Sequence, residues 1–139
     1  MNEFEFEDLS IGQTAEFTVT IEEEMLELFK KLSGDVNPLH CDREYALSMG
    51  YSGRVVYGML TASFYSTLAG VYLPGKNCLL YEVNSSFNKP VFIGDVLTVR
   101  GEIKELNDTF RFSLIKAVIT NQKGEKVSKA TIKAGVKTA

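Results

Sequence analysis

The only histidine of the chain, His40, lies in the segment SGDVNPLHCD (residues 33–42), close in sequence to Asp35 and Asn37. Histidine titrates near neutral pH without any tuning, and a neighbouring carboxylate can orient its ring or share a water molecule with it. Pro38 disfavours helix at the residue before it, so the spacing predicts a loop that can turn Asp35 and His40 towards one point. These two residues are therefore candidates for general acid–base catalysis.

The same segment also has a purely structural interpretation. Asp35 and Asn37 are residue types that hydrogen-bond to the backbone of a turn, and a lone histidine can be a half-buried packing residue. Cys41, beside His40, is a weaker candidate for a thiol nucleophile, because adjacent side chains usually point in different directions. From the spacing alone, the catalytic and the structural interpretations both stay open.

A second candidate feature is Gly58 in the segment VVYGML (residues 55–60), where a loop enters an apolar helical stretch. A backbone N–H at a helix N-terminus lacks a partner within the helix and favours negative charge, and glycine lets a ligand approach the backbone closely. Gly58 is therefore a candidate for an oxyanion hole, a donor site for negative charge that develops on oxygen. The alternative is a glycine that only lets the chain turn.

Other kinds of chemistry are less well supported. Ser63, Ser66 and Thr67 lie on the same helical stretch and suit bonds back to helix carbonyls, although Ser66 also suits contact with a ligand. The sequence has no G-x-S-x-G nucleophile elbow, no glycine-rich phosphate loop and no zinc-like spacing of its histidine and two cysteines. No metal ion is expected.

The composition indicates one ordinary globular domain without a nucleic-acid or membrane partner. The chain has 139 residues and a net charge of −3, whereas binding to phosphate backbones needs a basic face. It has no apolar run long enough to span a bilayer, and its acidic N-terminus is unlike a signal peptide. Cys41 and Cys78 do not suggest a disulfide framework. We expect a single domain over residues 1–139, located in the cytoplasm.

The elements that must position these residues are mainly helices in the first half of the chain. FTVTI (17–21) alternates like a short strand, and Thr20 and Glu23 have capping-box spacing for a helix that begins near residue 21. Gly34 suits the C-cap of that helix, and Asp42 suits the N-cap of a short second one. The first helix carries apolar residues at helical spacing, namely Met25, Leu28, Phe29 and Leu32.

A third helix and four strands follow. The stretch MLTASFYSTLAGVYL (59–73) is apolar almost all round, which is typical of a helix that is buried on most sides. The strands are predicted from alternating or β-branched residues at 78–87, 95–106, 110–121 and 126–136. The last two gaps between them are short and predict antiparallel hairpins. We therefore expect the α+β hotdog fold, a curved antiparallel sheet wrapped around a central apolar helix. Its unprotected edge strand predicts a homodimer or higher homo-oligomer.

Two segments, LSGDVNPLHCDREYA (32–46) and GRVVYGMLTASF (53–64), together resemble the signature segments of the MaoC-like, (R)-specific enoyl-CoA hydratases. A third, NKPVFIGD (88–95), resembles the family's entry into its middle strands. The resemblance extends from about residue 8 to 136. It implies the hotdog fold and the reversible syn addition of water to trans-2-enoyl thioesters. The products are (R)-3-hydroxyacyl thioesters, as in fatty-acid or polyhydroxyalkanoate metabolism.

The resemblance also implies residue roles. Asp35 and His40 match the catalytic pair, and the backbone N–H of Gly58 matches the donor to the thioester carbonyl. Asn37 would support the loop, and Ser66 matches a serine near the active site. No cofactor is implied beyond the coenzyme A or acyl-carrier protein that carries the substrate as its thioester.

One position departs from the family, which usually has histidine where this chain has Tyr57. Tyr57, with Asn37 and Ser66, is expected to contact substrate, and its larger ring can alter the turn or the thioester pocket. The departure leaves room for a non-catalytic protein that binds acyl thioesters. A second alternative, independent of Tyr57, is a hotdog acyl thioesterase in which water attacks C1 of the acyl chain held in the same slot. Four residues are candidate cations for the anionic handle, although any single one of them is more simply explained as a solvated surface charge: Arg43, Arg54, Lys76 and Lys89.

Overall fold

A five-stranded antiparallel sheet dominates the computed structural model, which describes residues 1–138. Its strands are β1 (Thr14–Thr20), β2 (Cys78–Phe87), β3 (Val96–Asn107), β4 (Phe112–Thr120) and β5 (Lys126–Val136). Their spatial order is β1-β3-β4-β5-β2, so that β1 and β2 form the two edges. The predicted hairpins β3–β4 and β4–β5 are present, and the predicted strand limits agree with the structure to within two or three residues.

The core face of the sheet is built by the alternation of the central strands. Ile103, Ile115 and Ile132 lie opposite one another on β3, β4 and β5, and none of the three is exposed to solvent. Cross-strand neighbours of this kind are packed on one face of a sheet because successive side chains point to opposite faces. This row forms the centre of the hydrophobic core.

The apolar stretch 59–73 forms α4 (Gly58–Thr67), which continues into one π-helical turn (Leu68–Tyr72). Together they contact β1, β2, β3 and β5, so the sheet curves around them as the predicted hotdog fold requires. Tyr65 is fully buried, whereas Met59 is 66% exposed because no element within residues 1–138 covers that side of the helix. Within residues 1–138, no helix combines the length and apolar character needed to cross a membrane.

The helical layer approaches the sheet closely at Gly101 of β3. A Cβ atom at this position would lie 2.8 Å from Leu68 Cδ2 and 2.9 Å from Ile115 Cγ2. Both distances are shorter than carbon atoms tolerate, so a glycine is needed where the π-helical turn meets the sheet.

Three shorter helices lie between β1 and α4, namely α1 (Glu23–Ser33), α2 (Pro38–Cys41) and α3 (Arg43–Ser48). Gly34 ends α1 in the left-handed conformation (φ 74°), as predicted for a C-cap. The Asp42 side chain accepts a hydrogen bond from the backbone N–H of Tyr45 and caps α3, also as predicted.

Two local predictions are wrong. Thr20 and Glu23 do not form a capping box, because the N-cap of α1 is Glu22 and no side chain caps that end. His40 does not lie in a plain loop, because Pro38 begins the single helical turn of α2. Proline suits the first position of a helix, where its missing N–H removes no intrahelical hydrogen bond.

Candidate active site

Asp35 and Asn37 shape the backbone that leads into α2. The Asp35 carboxylate accepts a hydrogen bond from the backbone N–H of Asn37, with 3.1 Å between Oδ1 and N. The Asn37 side chain in turn accepts one from the N–H of Leu39 at 2.9 Å and thereby caps α2. This geometry agrees with the loop-supporting role expected of Asn37, while its contact with substrate stays a prediction. Asp35 is exposed and open to a reactant.

The imidazole of His40 is fixed by one of its two nitrogens. Its Nδ1 lies 2.6 Å from the backbone oxygen of Val55. A carbonyl oxygen can only accept a hydrogen bond, so Nδ1 carries the hydrogen and the neutral ring has its lone pair on Nε2. The backbone N–H of Val55 also donates a hydrogen bond to the carbonyl of Leu39, so that Val55 contacts α2 through both its N–H and its oxygen. His40 therefore presents one nitrogen that can take up or release a proton.

Tyr57 lies beneath the Asp35 loop and α2 and is only 1% exposed. Its hydroxyl donates a hydrogen bond of 2.6 Å to the backbone oxygen of Asp35, and its ring stacks on the His40 ring with 4.2 Å between centroids. Cys41 Sγ lies 3.3 Å from the same hydroxyl, and Phe29 packs against the ring. Burial raises the pKa of the Tyr57 hydroxyl, so it remains a neutral donor. Its expected contact with substrate stays a prediction.

Arg54 occupies an internal position rather than the surface position expected of a cation for an anionic handle. Its side chain is only 9% exposed, and its Nε donates a hydrogen bond of 2.6 Å to the backbone oxygen of His40. The two terminal nitrogens bind Glu23 at 3.2 Å and Glu27 at 2.9 Å on α1. Arg54 thus links α1 to the segment that carries Asp35 and His40, and it is not the solvated surface charge that the sequence allowed. Its binding of an anionic handle stays a prediction.

The other candidate cations remain near the surface. Lys76 pairs with Glu3 at 3.3 Å, Lys89 pairs with Glu125 at 2.5 Å, and Arg43 is exposed at the first position of α3. None of these contacts tests whether the three cations bind an anionic handle.

Gly58 begins α4, where its backbone N–H has no partner inside the helix. It faces a concavity of about 340 Å³ between the start of α4 and the segment that joins β2 to β3. The Phe87 ring lies against Gly58, 3.4 Å from where a Cβ atom would be. The hydroxyl of Thr61 on the same concavity is buried and has no hydrogen-bond partner among residues 1–138. A polar group and a helix N-terminus therefore meet at one slot.

The sequence-predicted site residues form one group with one outlier. Asp35, His40 and Tyr57 are joined by direct contacts, and Gly58 follows Tyr57 in the chain. Val55 connects the group to the slot, because it binds His40 and also lines the concavity. Ser66 lies about two turns further along α4 and is exposed on the single chain. Its proximity to a substrate stays a prediction.

Two structural contributions were not predicted from the sequence. One is the internal position of Arg54. The sequence features that could have indicated it are a single cation just before an apolar run and two glutamates, Glu23 and Glu27, that lie four residues apart on one face of α1. The other is the Val55 carbonyl, which has no sequence signal because any residue type supplies a backbone oxygen. Both contact His40: Arg54 binds its backbone oxygen, and the Val55 oxygen binds its ring.

The arrangement combines a carboxylate, an imidazole with a free nitrogen and a backbone donor at a helix N-terminus. This set can move protons to and from a reactant while stabilising negative charge on an oxygen. In the part of the chain that the structure describes, no three His, Cys, Asp or Glu side chains lie close enough together to hold a metal ion.

Comparison with known families and proteins points to the same chemistry. A family model described as "MaoC like domain" matches residues 7–127. An (R)-specific enoyl-CoA hydratase from Rhodospirillum rubrum is 35% identical over 115 residues, which cover 83% of this chain and 80% of that protein. The enzyme of the same name from Aeromonas caviae is 34% identical over 85% of this chain and 88% of its own length.

The fold has a close counterpart among solved structures. An unliganded R-hydratase from Pseudomonas aeruginosa superimposes with a TM-score of 0.91 and 30% sequence identity. The match covers 96% of this chain and 86% of that one. The similarity therefore includes the helical first half, with its candidate site, as well as the sheet.

Proposed function

Because the chain belongs to the MaoC-like dehydratase family, we propose that it is an (R)-specific enoyl-thioester hydratase. The enzyme catalyses the reversible addition of water to a trans-2-enoyl thioester, and the reverse reaction is the dehydration of an (R)-3-hydroxyacyl thioester. The substrate arrives as its coenzyme A or acyl-carrier-protein ester, and no other cofactor takes part. The proposal is supported by relatives that carry this activity in their names and by the site geometry.

One observation carries the mechanism. Tyr57 touches both members of the proposed catalytic pair, since it binds the Asp35 backbone and stacks on the His40 ring. Gly58 follows directly at the N-terminus of α4. The candidates for the base, the acid and the oxyanion donor thus lie around one buried residue.

The reaction places each group in a definite role. The Asp35 carboxylate and Nε2 of His40 hold a water molecule between them. Its oxygen bonds to C3 of the substrate while one of the two groups takes a proton from the water. The C2=C3 π bond is lost, and the pair of groups then gives a proton to C2, so that the net change is the addition of one water molecule. The negative charge that moves onto the thioester oxygen is stabilised by the Gly58 N–H and the positive end of α4.

The slot beside Gly58 supports a small acyl thioester as substrate. Its volume of about 340 Å³ lies in the range of small-molecule sites, and its walls are mostly apolar. Six of the residues that line it are Val55, Gly58, Thr61, Phe87, Val91 and Val127. The Thr61 hydroxyl, which is buried and without a hydrogen-bond partner among residues 1–138, adds a polar group to the wall of the slot.

Turnover of crotonyl-CoA tests the proposal. The purified protein should remove the absorbance of the conjugated thioester, and the product should be the (R)-3-hydroxyacyl ester. Asp35→Asn should lower kcat by about 10²–10⁴-fold, the range that general acid–base catalysis contributes. The matched control is Asp108→Asn, the same change in the exposed β3–β4 turn, which should leave kcat unchanged.

The same assay separates the other two interpretations of the family resemblance. Release of free thiol from saturated acyl-CoA, detected with a thiol reagent, would identify a thioesterase. Tight binding of acyl-CoA without either reaction would identify a non-catalytic binding protein. Absence of hydration with four- to twelve-carbon enoyl esters of both coenzyme A and acyl-carrier protein rules out the proposed hydratase.

We further propose that the functional unit is a homodimer joined through β2. This strand forms an edge of the sheet, and five of its large apolar side chains are at least 37% exposed: Leu79, Leu80, Tyr81, Val83 and Phe87. An exposed apolar edge of this kind pairs readily with another strand. A second copy seated on β2 would also cover Met59 and the open side of α4.

Light scattering of the purified protein tests the dimer. The native chain should have twice the monomer mass, and Val83→Lys, which places a charge on β2, should shift it towards the monomer. Glu82→Lys is the control, because it adds a positive charge to the same strand at an exposed polar position. A monomeric native chain contradicts this proposal but leaves the hydratase proposal to be tested by turnover.

A further inference from the structure

Asp35 is anchored to the rest of the molecule by one strong contact. Its carboxylate binds Asn37, and its backbone N–H donates to Ser33 Oγ at 3.2 Å, both within two residues of it in sequence. Across residues 1–138, its only hydrogen bond to a residue more than six positions away is the 2.6 Å bond from the Tyr57 hydroxyl. The position of the carboxylate therefore depends on Tyr57.

The hydrogen-bond direction at Tyr57 is determined by its partners. The phenol has one hydrogen, and a carbonyl oxygen can only accept, so that hydrogen goes to Asp35. Cys41 Sγ lies 3.3 Å from the same hydroxyl oxygen and 3.9 Å from the Asp35 backbone oxygen, and both of these atoms accept from the thiol. The contacts form a chain from Cys41 through Tyr57 to the Asp35 carbonyl.

Tyr57 controls His40 by a different contact. The two rings stack at 29° to one another, and the Nδ1 bond to Val55 holds the imidazole in that orientation. Tyr57 is buried and also forms the N-cap of α4, so it cannot shift without moving the start of the helix. The hydroxyl thus positions Asp35, and the ring positions His40.

We infer that Tyr57 is a positioning residue that sets the distance and orientation between Asp35 and His40 relative to the N-terminus of α4. Its catalytic consequence rests on the proposed hydratase function, whereas its effect on the Asp35 loop does not. Buried tyrosine suits this role because its hydroxyl stays protonated throughout the pH range in which histidine titrates.

Tyr57→Phe isolates the hydroxyl, because it keeps the ring and the stack on His40. With crotonyl-CoA as substrate, kcat should fall at least about 10-fold and KM should change less than twofold, since misplacement of a catalytic group by about 1 Å can reduce the rate 10²-fold. The matched control is Tyr65→Phe on the same helix. Its fully buried hydroxyl donates to Ser128 Oγ at 2.7 Å, away from the Asp35 loop. That variant should retain native kcat.

NMR supplies a readout that does not depend on turnover. His40 is the only histidine, so its ring gives a single set of signals in a protein without an affinity tag. In Tyr57→Phe the His40 ring signals should keep their native chemical shifts, because the aromatic ring still stacks on the imidazole. The substitution should, however, speed the solvent exchange of the Asn37 backbone amide severalfold, while Tyr65→Phe should not.

The outcomes separate the two proposals. A Tyr57→Phe variant with kcat within twofold of native, or with unchanged amide exchange at Asn37, overturns the positioning role. If the native protein hydrates no enoyl ester, the hydratase proposal fails, and amide exchange alone decides the role of Tyr57. If Tyr65→Phe loses as much kcat as Tyr57→Phe, the effect belongs to the core in general and the inference is wrong.

Discussion

The segment from residue 35 to residue 58 and the sheet formed by β3, β4 and β5 are stabilised in different ways. The sheet is held by regular backbone ladders and by fully buried apolar rows such as Ile103, Ile115 and Ile132. The segment has short helices, exposed polar residues and hydrogen bonds between single side chains and backbone oxygens. The candidate catalytic residues thus lie on an irregular connection, and the sheet supplies the rigid support.

The difference predicts that function and stability can be lost separately. A substitution in the segment should reduce turnover more than it reduces the free energy of unfolding, and a substitution in the sheet should do the opposite. Arg54 and Tyr57 are the residues where the two kinds of effect should overlap. Both side chains are largely shielded from solvent, and they hydrogen-bond to the backbone of His40 and Asp35, respectively.

The largest effect is expected for His40→Ala, which removes the free Nε2 nitrogen. Turnover of crotonyl-CoA should fall about 10²–10⁴-fold, as expected for a lost acid–base group. The free energy of unfolding should fall by only about 1–2 kcal/mol, since one hydrogen bond to Val55 is lost. Urea denaturation and initial rates measure the two quantities. A stability loss that accounts for the whole loss of activity would contradict a catalytic role.

Ile115→Ala should have the opposite pattern. Its side chain is fully buried at the centre of the sheet, and a change of this kind typically costs about 2–5 kcal/mol. Turnover per folded molecule should remain within about twofold of native well below the unfolding temperature. Ile11→Ala is the matched control, because Ile11 is 68% exposed and its truncation should change stability by less than about 0.5 kcal/mol.

Arg54→Met tests the overlap between the two regions. It keeps an apolar side chain of similar length but removes the charged hydrogen bond to the His40 backbone oxygen. We expect a stability loss of about 1.5–3 kcal/mol, the range for hydrogen bonds to charged groups, together with an approximately 10-fold fall in kcat. Arg54→Lys should lose nearly as much stability and kcat as Arg54→Met, because an ammonium group cannot bind His40 and both glutamates in the same planar arrangement.

The smallest effect is a pH dependence at the alkaline end. Burial raises the pKa of Tyr57 above its ordinary value of 10.0, so above that pH the unfolded chain loses a proton that the native state keeps. The contribution of Tyr57 to stability is therefore complete below about pH 10 and decreases as the pH rises further. Above pH 10 the free energy of unfolding should fall with pH less steeply in Tyr57→Phe than in the native protein, by up to about 1.4 kcal/mol per pH unit. Equal slopes would contradict a buried, protonated hydroxyl.

Sequence patterns predicted the regular parts of the fold well, because those parts repeat with a fixed period. The strand at 78–87 was predicted with the limits that the structure has, and the apolar helix differs only in that its last turn is π-helical. The prediction was wrong at Thr20 and at Pro38, where a single hydrogen bond or turn decides the local conformation. Such contacts leave no periodic signal.

The sequence by itself determined the hotdog fold, the family and the identity of the Asp35, His40 and Gly58 candidates, because periodicity and a residue motif are both local. Only the tertiary structure decided that the Tyr57 hydroxyl binds the Asp35 backbone, that the Val55 oxygen selects the His40 tautomer and that Arg54 lies inside. Each of these contacts joins residues 14 to 22 positions apart in the chain. Their distances follow from how α1, α2 and α4 pack, and no local pattern specifies that packing.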